Sequence, residues 1–300
     1  MDPILIVGPG AVGLTLAARW TAVGEKVLLL GKDLDQETRL LKGFAFIGLD
    51  GKAHRVKNGL KSARSQRPLT VRAAFFCTKS FETSKAGADA GRFIGAGTAV
   101  VGLQNGAGHE TVLRRRFGNR RVVIGSCYFA ADRPEHGVIT NSWGNKIRLA
   151  LTDDNADCAF LAQRLLMLGG WDAALKDDEQ RLIWTKLIFN AATNPLGALC
   201  GVTNGRLAED EALKEIMLRT LKEAAAESVR LGHVPLYANM DELVVTACRA
   251  APRQRNSMLQ DLAAGRKTEI ASIADPITRG GRAPTLAALA RWVRALEASA

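Results

Sequence analysis

The fold is set by a stretch near the start of the chain, Ile4-Leu-Ile-Val-Gly-Pro-Gly-Ala-Val-Gly13. Its first four residues are all apolar, which is typical of a strand buried on both faces of a sheet. A helical pattern follows over residues 14–23, and after Gly24 comes a second predicted strand, Lys26-Val-Leu-Leu-Leu30. The stretch therefore predicts a β-α-β unit whose first turn carries the sequence Gly-x-Gly-x-x-Gly.

Each glycine of this turn meets a separate requirement of a dinucleotide site. Gly8 permits the tight turn, Gly10 lets the backbone approach a pyrophosphate, and Gly13 lets the helix pack close to the strand. The helix N-terminus then offers free N–H groups and a positive dipole end to the phosphates. The alternative is a glycine-rich turn without a ligand. The predicted cofactor-binding residues of the turn are Gly8, Pro9, Gly10, Ala11, Val12 and Gly13.

The residues after the second predicted strand bear on which dinucleotide is bound. An NAD site usually places an acidic residue there, on the ribose 2′-hydroxyl. Here the first residues are Gly31 and Lys32, and Asp33 comes one position later. Because Lys32 favours a 2′-phosphate, NADPH is the predicted cofactor, while Asp33 leaves NADH as an alternative.

Two further apolar runs end in polar residues where open α/β sheets bind ligands. The run 73–78 delivers Lys79, and the run 98–103 leads through Gln104 to Asn105 and Gly106. An amide and exposed backbone N–H groups in that loop can hold ribose or nicotinamide, whereas the alternative is an ordinary Asn-Gly turn. The loop alone does not decide between these interpretations.

The other patterns of this half complete the predicted sheet. Residues 43–56 predict a β-excursion and 61–72 a basic loop. Further predicted elements are a strand at 122–128, antiparallel edge strands at 137–140 and 146–151, a helix at 156–168 and a short strand at 171–175.

Around Asp177 the strand patterns end and long helical periods begin. They cover 180–199, 210–231 and 240–250, with a last pair starting at Thr268 and Thr285. The predicted fold class is therefore α/β: a Rossmann-type nucleotide-binding domain, residues 1–177, followed by an all-helical C-terminal domain, residues 178–300.

One helix of the second half is crossed by a line of polar side chains. Within residues 183–195, Lys186, Asn190 and Asn194 recur every four residues, which stacks them on one helical face among apolar neighbours. An ammonium and two amides can converge there on an anionic or carbonyl-bearing ligand. Alternatively, Lys186 extends to water and the two asparagines bond backbone carbonyls.

The composition, 47% hydrophobic and 24% charged, is that of an ordinary globular protein. Five cysteines and four histidines are dispersed without paired spacing, so we predict reduced, mostly buried thiols and no metal site. No signal-peptide pattern is present, and no apolar run reaches the roughly 18 residues of a membrane span. We therefore expect a cytoplasmic protein without membrane association.

The net charge of +11 raises the question of nucleic-acid binding. The basic residues are dispersed, and the densest group, Arg114–Arg116 with Arg120 and Arg121, follows an apparent helix, where cations complement the dipole. No nucleic-acid-binding motif accompanies the charge. We predict no nucleic-acid partner and a field that favours anionic cofactors and substrates.

Taken together and in order, these motifs resemble those of the ketopantoate reductases (2-dehydropantoate 2-reductases), from the N-terminus to about Ile270. The glycine turn, Thr78-Lys79 and Asn105–Gly108 match in the first half. The matching residues of the second half are Trp184–Lys186, Asn190, Asn194–Leu196, Ser257–Asp261 and Thr268-Glu269.

The resemblance implies roles in the reaction. Lys186 would be the catalytic acid and Glu269 a second catalytic residue lying between substrate and cofactor, while Ser257 would hold the substrate carboxylate. A desolvated Lys186 ammonium would stabilise and protonate the oxygen that gains charge as hydride reaches C2 of a 2-keto acid. The remaining residues of the substrate pocket would be Asn190, Asn194 and Asn204.

The resemblance also implies how NADPH is held and what the protein binds. Lys32 and Lys79 would contact the 2′-phosphate, Asn105 would touch both ligands, and Ala131 would lie against the cofactor. The partners would be a small 2-keto acid and, by analogy with the family, a second copy of the chain in a homodimer.

After Glu269 the sequence departs from the family pattern. The usual Asp-Tyr and Asn-Gly pairs are replaced by Ile270-Ala-Ser-Ile-Ala-Asp-Pro276, and Pro276 would break or kink the predicted helix. The leading hypothesis is NADPH-dependent reduction of ketopantoate to pantoate in pantothenate and coenzyme A biosynthesis. The alternatives are a reductase of another bulky 2-keto acid with the same fold, and a catalytically idle NADPH-binding protein. Retention of a buried lysine, which is costly to desolvate, argues against the last.

Overall fold

The computed structural model describes residues 2–133, 135 and 137–299. His136, one of the four dispersed histidines, lies outside the described residues. The chain divides into two units, one formed by Met1–Gln104 with Gly108–Glu179 and the other by Asn105–Ala107 with Gln180–Ala300.

The first unit alternates strands and helices as the sequence predicts. Its described elements are β1 (Ile4–Val7), α1 (Ala11–Ala22), β2 (Val27–Leu30), α2 (Leu34–Leu41), β3 (Phe44–Ile47), β4 (Ala53–Val56), β5 (Leu60–Ser62), β6 (Ala73–Phe76), α3 (Thr83–Ala90), β7 (Ala99–Gly102), α4 (His109–Phe117), β8 (Val122–Asp132), β9 (Val138–Ala150), α5 (Ala156–Leu168) and β10 (Asp172–Lys176).

A parallel sheet forms the centre of this unit. Its strands follow the order β8-β7-β6-β1-β2-β5, and β1 pairs in parallel with both β2 and β6. Every residue of β1, β2, β6 and β7 is buried, which explains their uninterrupted apolar sequences. Because all these strands run the same way, their carboxyl ends meet at one edge, where Gly8, Lys32, Lys79 and Gln104 follow them.

The second part of the sheet differs from the prediction. Instead of two edge strands at 137–140 and 146–151, β9 is one continuous strand that pairs antiparallel with β8 and parallel with β3 and β10. The Asn141 side chain is fully buried, and its Nδ2 donates to the carbonyls of Ala130, Trp143 and Gly144. The Asn141 amide thus provides a donor for backbone carbonyls where the pairing of β9 with β8 shifts register. The polar middle of β9 therefore remains part of the strand.

The basic loop predicted at 61–72 is also corrected at its start. Ser62 ends β5, and this strand pairs in parallel with β2 through Leu29 and Ser62. Three residues are too few to show a period, which is why the sequence did not reveal this strand.

The second unit is helical. Its described helices are α6 (Glu179–Cys200), α7 (Asn204–Glu209), α8 (Glu211–Arg230), α9 (Met240–Ala250), α10 (Ser257–Ala263), α11 (Ile270–Thr278) and α12 (Pro284–Ser299). The long helices fall where the sequence predicts them, whereas α7 is too short to produce a helical period. The predicted fold class, a Rossmann-type α/β part followed by a helical part, is confirmed.

The cysteines are all free, but only Cys158 and Cys248 are buried and Cys200 is exposed, so the expectation of mostly buried thiols is only partly correct. Within the described residues, no group of three or more His, Cys, Asp and Glu side chains could hold a metal ion. Across the same residues, no helix is both long enough and apolar enough to cross a membrane.

His109, the first residue of α4, is a buried base. Its side chain is 3% exposed, and neither ring nitrogen forms a hydrogen bond with a described residue. Burial lowers the pKa of His109 from its ordinary 6.5 to about 4; attraction to Glu179 opposes this shift and repulsion from Arg114 adds to it. His109 is therefore neutral in the folded protein at pH 7.

Replacing His109 should make the unfolding free energy less dependent on pH below pH 7. The unfolded chain takes up this proton near the ordinary pKa and the folded chain only near pH 4, so stability is present above pH 6.5 and lost as the pH falls. Between pH 7 and pH 5, we expect the unfolding free energy of His109→Leu to fall by roughly 2 kcal/mol less than that of the wild type. Urea unfolding at both pH values measures this, with the exposed His54→Leu as control; equal losses in all three proteins would contradict the assignment.

Candidate active site

The glycine turn of the first unit is built on close backbone contacts. Gly8 has a φ of +86°, and a Cβ atom there would lie 2.7 Å from the backbone nitrogen of Thr78. A Cβ on Gly13 would lie 2.6 Å from the Gly8 carbonyl oxygen. The protein itself therefore requires glycine at both positions, and the turn lies directly beside Thr78, which Lys79 follows.

The middle glycine is different, because the space around it is open. A Cβ on Gly10 would meet no atom within 4 Å. Gly10 precedes α1, and no described side chain caps that helix, so the first backbone N–H groups, including those of Ala11 and Val12, remain for an anion. Open space beside an uncapped helix N-terminus fits the pyrophosphate of a dinucleotide.

The residues after β2 and β6 supply cations beside this turn. The Lys32 side chain is 72% exposed, and its Nζ lies 4.0 Å from Asp33 Oδ2. Asp33 caps α2, with its Oδ1 accepting a 2.7 Å hydrogen bond from the Gln36 backbone N–H. This bond gives Asp33 a structural role and weakens the argument that it marks an NAD site. Lys79 is half-buried at the end of β6.

Ala131 lies outside the parallel part of the sheet. Pairing of β8 with β7 ends at Ile124, and Ala131 belongs to the extension that pairs with β9, at the register shift between Ala130 and Asp132. Its predicted contact with the cofactor stays a prediction.

The polar line of the second unit is present on α6. Asn190 and Asn194 are 4% and 5% exposed, and Lys186 is half-buried with its Nζ 5.2 Å from the centre of the Phe189 ring. Asn190 Nδ2 donates to Asn105 Oδ1 at 3.3 Å. Asn194 Oδ1 accepts from the Thr193 hydroxyl at 3.2 Å. These hydrogen bonds of the two asparagines join side chains and not the backbone carbonyls of the alternative interpretation. Their contact with a ligand stays a prediction.

Ser257 is brought to the same region by its neighbour Asn256. Asn256 Oδ1 caps α10 by accepting from the Leu259 N–H, while its Nδ2 donates to the Thr193 carbonyl at 3.4 Å. The start of α10 is therefore tied to the turn of α6 that holds Asn194. The Ser257 hydroxyl forms no hydrogen bond with any described residue and is half-buried, which leaves it for a ligand.

Asn204, at the start of α7, carries an unsatisfied acceptor. Its backbone N–H donates to the Gln254 carbonyl at 2.9 Å, and its Nδ2 lies 3.4 Å from Gln254 Oε1. Its Oδ1 is buried without a partner among the described residues. Buried acceptors are normally paired, so a hydroxyl or amine of a ligand would complete this group.

The segment Asn105–Ala107 packs against α11. Gly106 has a φ of +83°, and a Cβ there would lie 2.6 Å from Ser272 Cβ. The Ala107 N–H donates to the Ser272 carbonyl at 3.1 Å. With Asn105 bonded to Asn190, the segment joins α6 to α11, whose N-cap is the buried Glu269. The structure therefore brings Asn105, Asn190 and the Glu269 end of α11 together.

Pro276 does not break α11, contrary to expectation. The helix continues to Thr278. Proline has no N–H for the carbonyl four residues earlier, which belongs to Ser272. That carbonyl accepts the Ala107 N–H instead. The departure from the family sequence in this region thus provides the acceptor that holds the Asn105–Ala107 segment.

Restoring the missing N–H should loosen this segment. In Pro276→Ala, the backbone amide introduced at position 276 competes with Ala107 for the Ser272 carbonyl, so we expect the Ala107 amide to exchange with solvent roughly 3–10-fold faster. Hydrogen exchange followed by NMR measures this directly. Pro284→Ala is the matched control, because Pro284 occupies the first position of α12, where proline removes no helical bond. Unchanged protection of Ala107 would contradict the role given to Pro276.

Two residues near these groups were not identified from the sequence. Ser272 holds Ala107, and Arg64, just after β5, donates to the carbonyls of Gly31 and Lys32. Ser272 carries no sequence signal, because it acts through its backbone. Arg64 follows a strand too short to recognise.

Comparison with known proteins identifies the family. A family model described as Ketopantoate reductase PanE/ApbA matches residues 4–153, and the model described as Ketopantoate reductase PanE/ApbA C terminal matches residues 178–297. The chain belongs to the ketopantoate reductase family. The resemblance seen in the sequence motifs is confirmed.

Individual ketopantoate reductase relatives match over nearly the whole chain. The 2-dehydropantoate 2-reductase of Halobacterium salinarum is 28% identical in an alignment that covers 97% of this chain and 97% of its own. The 2-dehydropantoate 2-reductase of Archaeoglobus fulgidus is also 28% identical, over 93% of this chain and 90% of its own.

Solved structures share the ketopantoate reductase fold. A 2-dehydropantoate 2-reductase from Geobacter metallireducens superposes with a TM-score of 0.85, 24% identity and coverage of 97% of this chain and 99% of its own. A D-mandelate dehydrogenase in ternary complex with NADH and anilino(oxo)acetate gives 0.88 and 22%, covering 99% and 98%. A dimeric ketopantoate reductase from Staphylococcus aureus gives 0.80 and 18%, covering 99% of both chains. At these identities the likeness concerns the fold.

Proposed function

We propose that this chain reduces 2-dehydropantoate (ketopantoate) to pantoate with NADPH, in pantothenate and coenzyme A biosynthesis. The observation that carries the proposal is the gathered polar set of the second unit, in which Asn190 is bonded to Asn105, and Asn256 ties Ser257 to the turn of Asn194. Family membership over both halves of the chain and the names of the relatives support it.

NADPH fits the residues of the first unit. The turn from Gly8 to Gly13 would hold the pyrophosphate, because Gly10 leaves open space beside uncapped N–H groups. Lys32 and Lys79 would hold the 2′-phosphate, and Ala131 would contact the cofactor. When bound, NADPH supplies the hydride that adds to C2 of the keto acid.

Lys186 would act on the oxygen at C2. As that carbonyl is reduced, negative charge develops on its oxygen, and an ammonium at that place stabilises the charge and then gives up a proton. The half-buried position of Lys186 among apolar residues of α6 limits hydration of its ammonium, which strengthens this interaction.

The remaining polar groups would orient the substrate. The free Ser257 hydroxyl would bind its carboxylate, and Asn105 and Glu269 would contact both ligands. Asn190 and Asn194 would line the pocket from α6. The unsatisfied Asn204 Oδ1 suits a donor, and ketopantoate carries one in its hydroxymethyl group.

A reductase of another bulky 2-keto acid is the second candidate. The sequence around Ser272 and Pro276 departs from the family pattern at the point where α11 meets Asn105–Ala107. The fold also accommodates different 2-oxo compounds, since the D-mandelate dehydrogenase neighbour binds anilino(oxo)acetate. An idle NADPH-binding protein is the least supported alternative.

Initial rates with a panel of keto acids separate these candidates. Oxidation of NADPH would be followed by the loss of its absorbance with ketopantoate, 2-ketoisovalerate and benzoylformate, and with NADH as a control. We expect ketopantoate to give the highest kcat/KM, about 10⁴ M⁻¹s⁻¹ or above. A higher value for another acid would move the assignment to the second candidate, and tight NADPH binding without turnover of any acid would favour the idle protein.

The proposal also covers the cellular location, the partners and the oligomeric state of the enzyme. A biosynthetic reductase that uses the cellular NADPH pool would act in the cytoplasm on a small molecule, without nucleic-acid or membrane partners. A homodimer is proposed by analogy with the dimeric Staphylococcus aureus protein. Light scattering coupled to gel filtration tests the dimer, and a mass of one chain, 32.2 kDa, would contradict it.

A further inference from the structure

Arg64 lies at the end of the sheet where a cofactor ribose would be placed. Strands β2 and β5 are parallel and end at the same edge, with Leu29 opposite Ser62. Two residues later, Arg64 Nη2 donates to the Gly31 carbonyl at 2.9 Å and to the Lys32 carbonyl at 3.2 Å. The guanidinium is thus fixed at the carboxyl end of β2, the position where Rossmann-type sites recognise the 2′-position of the adenosine ribose.

Glu37 forms an ion pair with the guanidinium. Its side chain is fully buried, and its Oε1 lies 3.3 Å from Arg64 Nε. The same carboxylate accepts from the N–H groups of Gly31 and Arg64 and from the Ser62 hydroxyl. All these contacts are internal to the protein. Glu37 is therefore a positioning residue for Arg64.

Asp89 on α3 is a second carboxylate bound to the guanidinium. Its Oδ2 accepts from Arg64 Nη2 at 2.8 Å and from Lys85 at 3.3 Å. Burial alone would raise the pKa of Asp89, but the hydrogen bonds and charges of Arg64 and Lys85 outweigh burial and lower it. The carboxylate stays ionised near neutral pH and keeps Arg64 in place.

The Nη1 atom of Arg64 is available for a ligand. This atom forms no hydrogen bond with any described residue and is accessible, and the side chain is 28% exposed. The Lys32 side chain, by contrast, is 72% exposed, and its Nζ lies 4.0 Å from Asp33 Oδ2. A guanidinium already fixed in orientation loses less conformational freedom on binding phosphate than a mobile lysine does.

We propose that Arg64 binds the 2′-phosphate of the cofactor through Nη1 and is the main residue that makes the protein prefer NADPH to NADH. This inference rests on the proposed cofactor, not on the identity of the keto acid. Lys32 and Lys79 would add charge around a phosphate whose position Arg64 sets.

Binding of two probes that differ only in the 2′-phosphate tests the proposal without turnover. Calorimetric titrations with adenosine 2′,5′-bisphosphate and with adenosine 5′-monophosphate would be run on the wild-type protein, Arg64→Gln and Arg64→Lys. Arg39→Gln is the matched control, because Arg39 is an exposed arginine of the same unit on α2. Thermal unfolding of each variant checks that it is folded.

We expect Arg64→Gln to weaken the bisphosphate at least 20-fold while the monophosphate changes less than about two-fold. Arg64→Lys should bind the bisphosphate more tightly than Arg64→Gln but less tightly than the wild type, since lysine keeps the positive charge and lacks the planar guanidinium. Arg39→Gln should match the wild type. Glu37→Gln should weaken the bisphosphate selectively, by roughly 3–10-fold.

Three results would overturn the inference. In the first, the bisphosphate affinity of folded Arg64→Gln equals that of the wild type. In the second, both probes weaken equally, which would make Arg64 a structural residue of the loop. In the third, the wild-type protein binds both probes equally, which contradicts the NADPH preference itself. Failure of ketopantoate as a substrate leaves these binding results unaffected, so the two proposals fail separately.

Discussion

Replacing Lys186 with alanine is expected to lower kcat by about 10²–10⁴-fold and to leave the dissociation constant of NADPH within about two-fold. The ammonium is proposed to act on the oxygen of the keto acid, whereas the glycine turn and the cations of the first unit are proposed to bind the cofactor. Steady-state rates and fluorescence titration with NADPH measure the two quantities separately.

The matched control for this substitution is Lys222→Ala. Lys222 lies on α8 of the same unit, and its side chain is 69% exposed beside Asp241. Loss of a surface ion pair of this kind changes stability by at most about 1 kcal/mol and should leave kcat unchanged. A Lys186→Ala enzyme as active as this control would remove Lys186 from the mechanism.

Two alanine substitutions in the glycine turn should separate cofactor binding from folding. Gly10→Ala is expected to weaken NADPH binding by roughly 30-fold with an unchanged melting temperature, because its methyl group enters space that is open in the protein but needed by the pyrophosphate. The Gly10 φ of −83° is accessible to alanine without strain.

Gly13→Ala should instead destabilise the protein. Its methyl group would lie 2.6 Å from the Gly8 carbonyl and 2.8 Å from Ile6 Cγ2, so α1 must move away from β1. We expect a loss of about 1–3 kcal/mol in unfolding free energy. Melting curves and NADPH titrations of both variants test the pair. A destabilised Gly10→Ala, or a Gly13→Ala of wild-type stability, would contradict this description of the turn.

Much of the fold was predictable because the deciding elements carry strong local patterns. β1 and β2 are wholly apolar, and the glycine turn between them allows few other structures. The continuous β9 was not predictable, since its polar middle is stabilised by the buried Asn141 amide bonding carbonyls of β8 and β9. That compensation depends on a neighbouring strand and leaves no periodic trace in the sequence.

The candidate site was predictable only where side chains carry the chemistry. The four-residue spacing of Lys186, Asn190 and Asn194 indicated one helical face, and all three lie on α6. The contact of Ala107 with Ser272 uses backbone groups, and Pro276 contributes by lacking an N–H. Pro276 is unusual in the sequence and predicts a broken helix there. The helix continues because Ala107, 169 residues away in the sequence, replaces the missing bond.

The most direct test of the central claim is to follow the transferred hydride itself. The enzyme would be incubated with ketopantoate and NADPH deuterated at the transferable C4 position, and the product analysed by mass spectrometry and NMR. We predict pantoate that carries one deuterium at C2, formed in proportion to the NADPH consumed. NADPH consumption without labelled pantoate, or no consumption while 2-ketoisovalerate or benzoylformate is reduced, would contradict it.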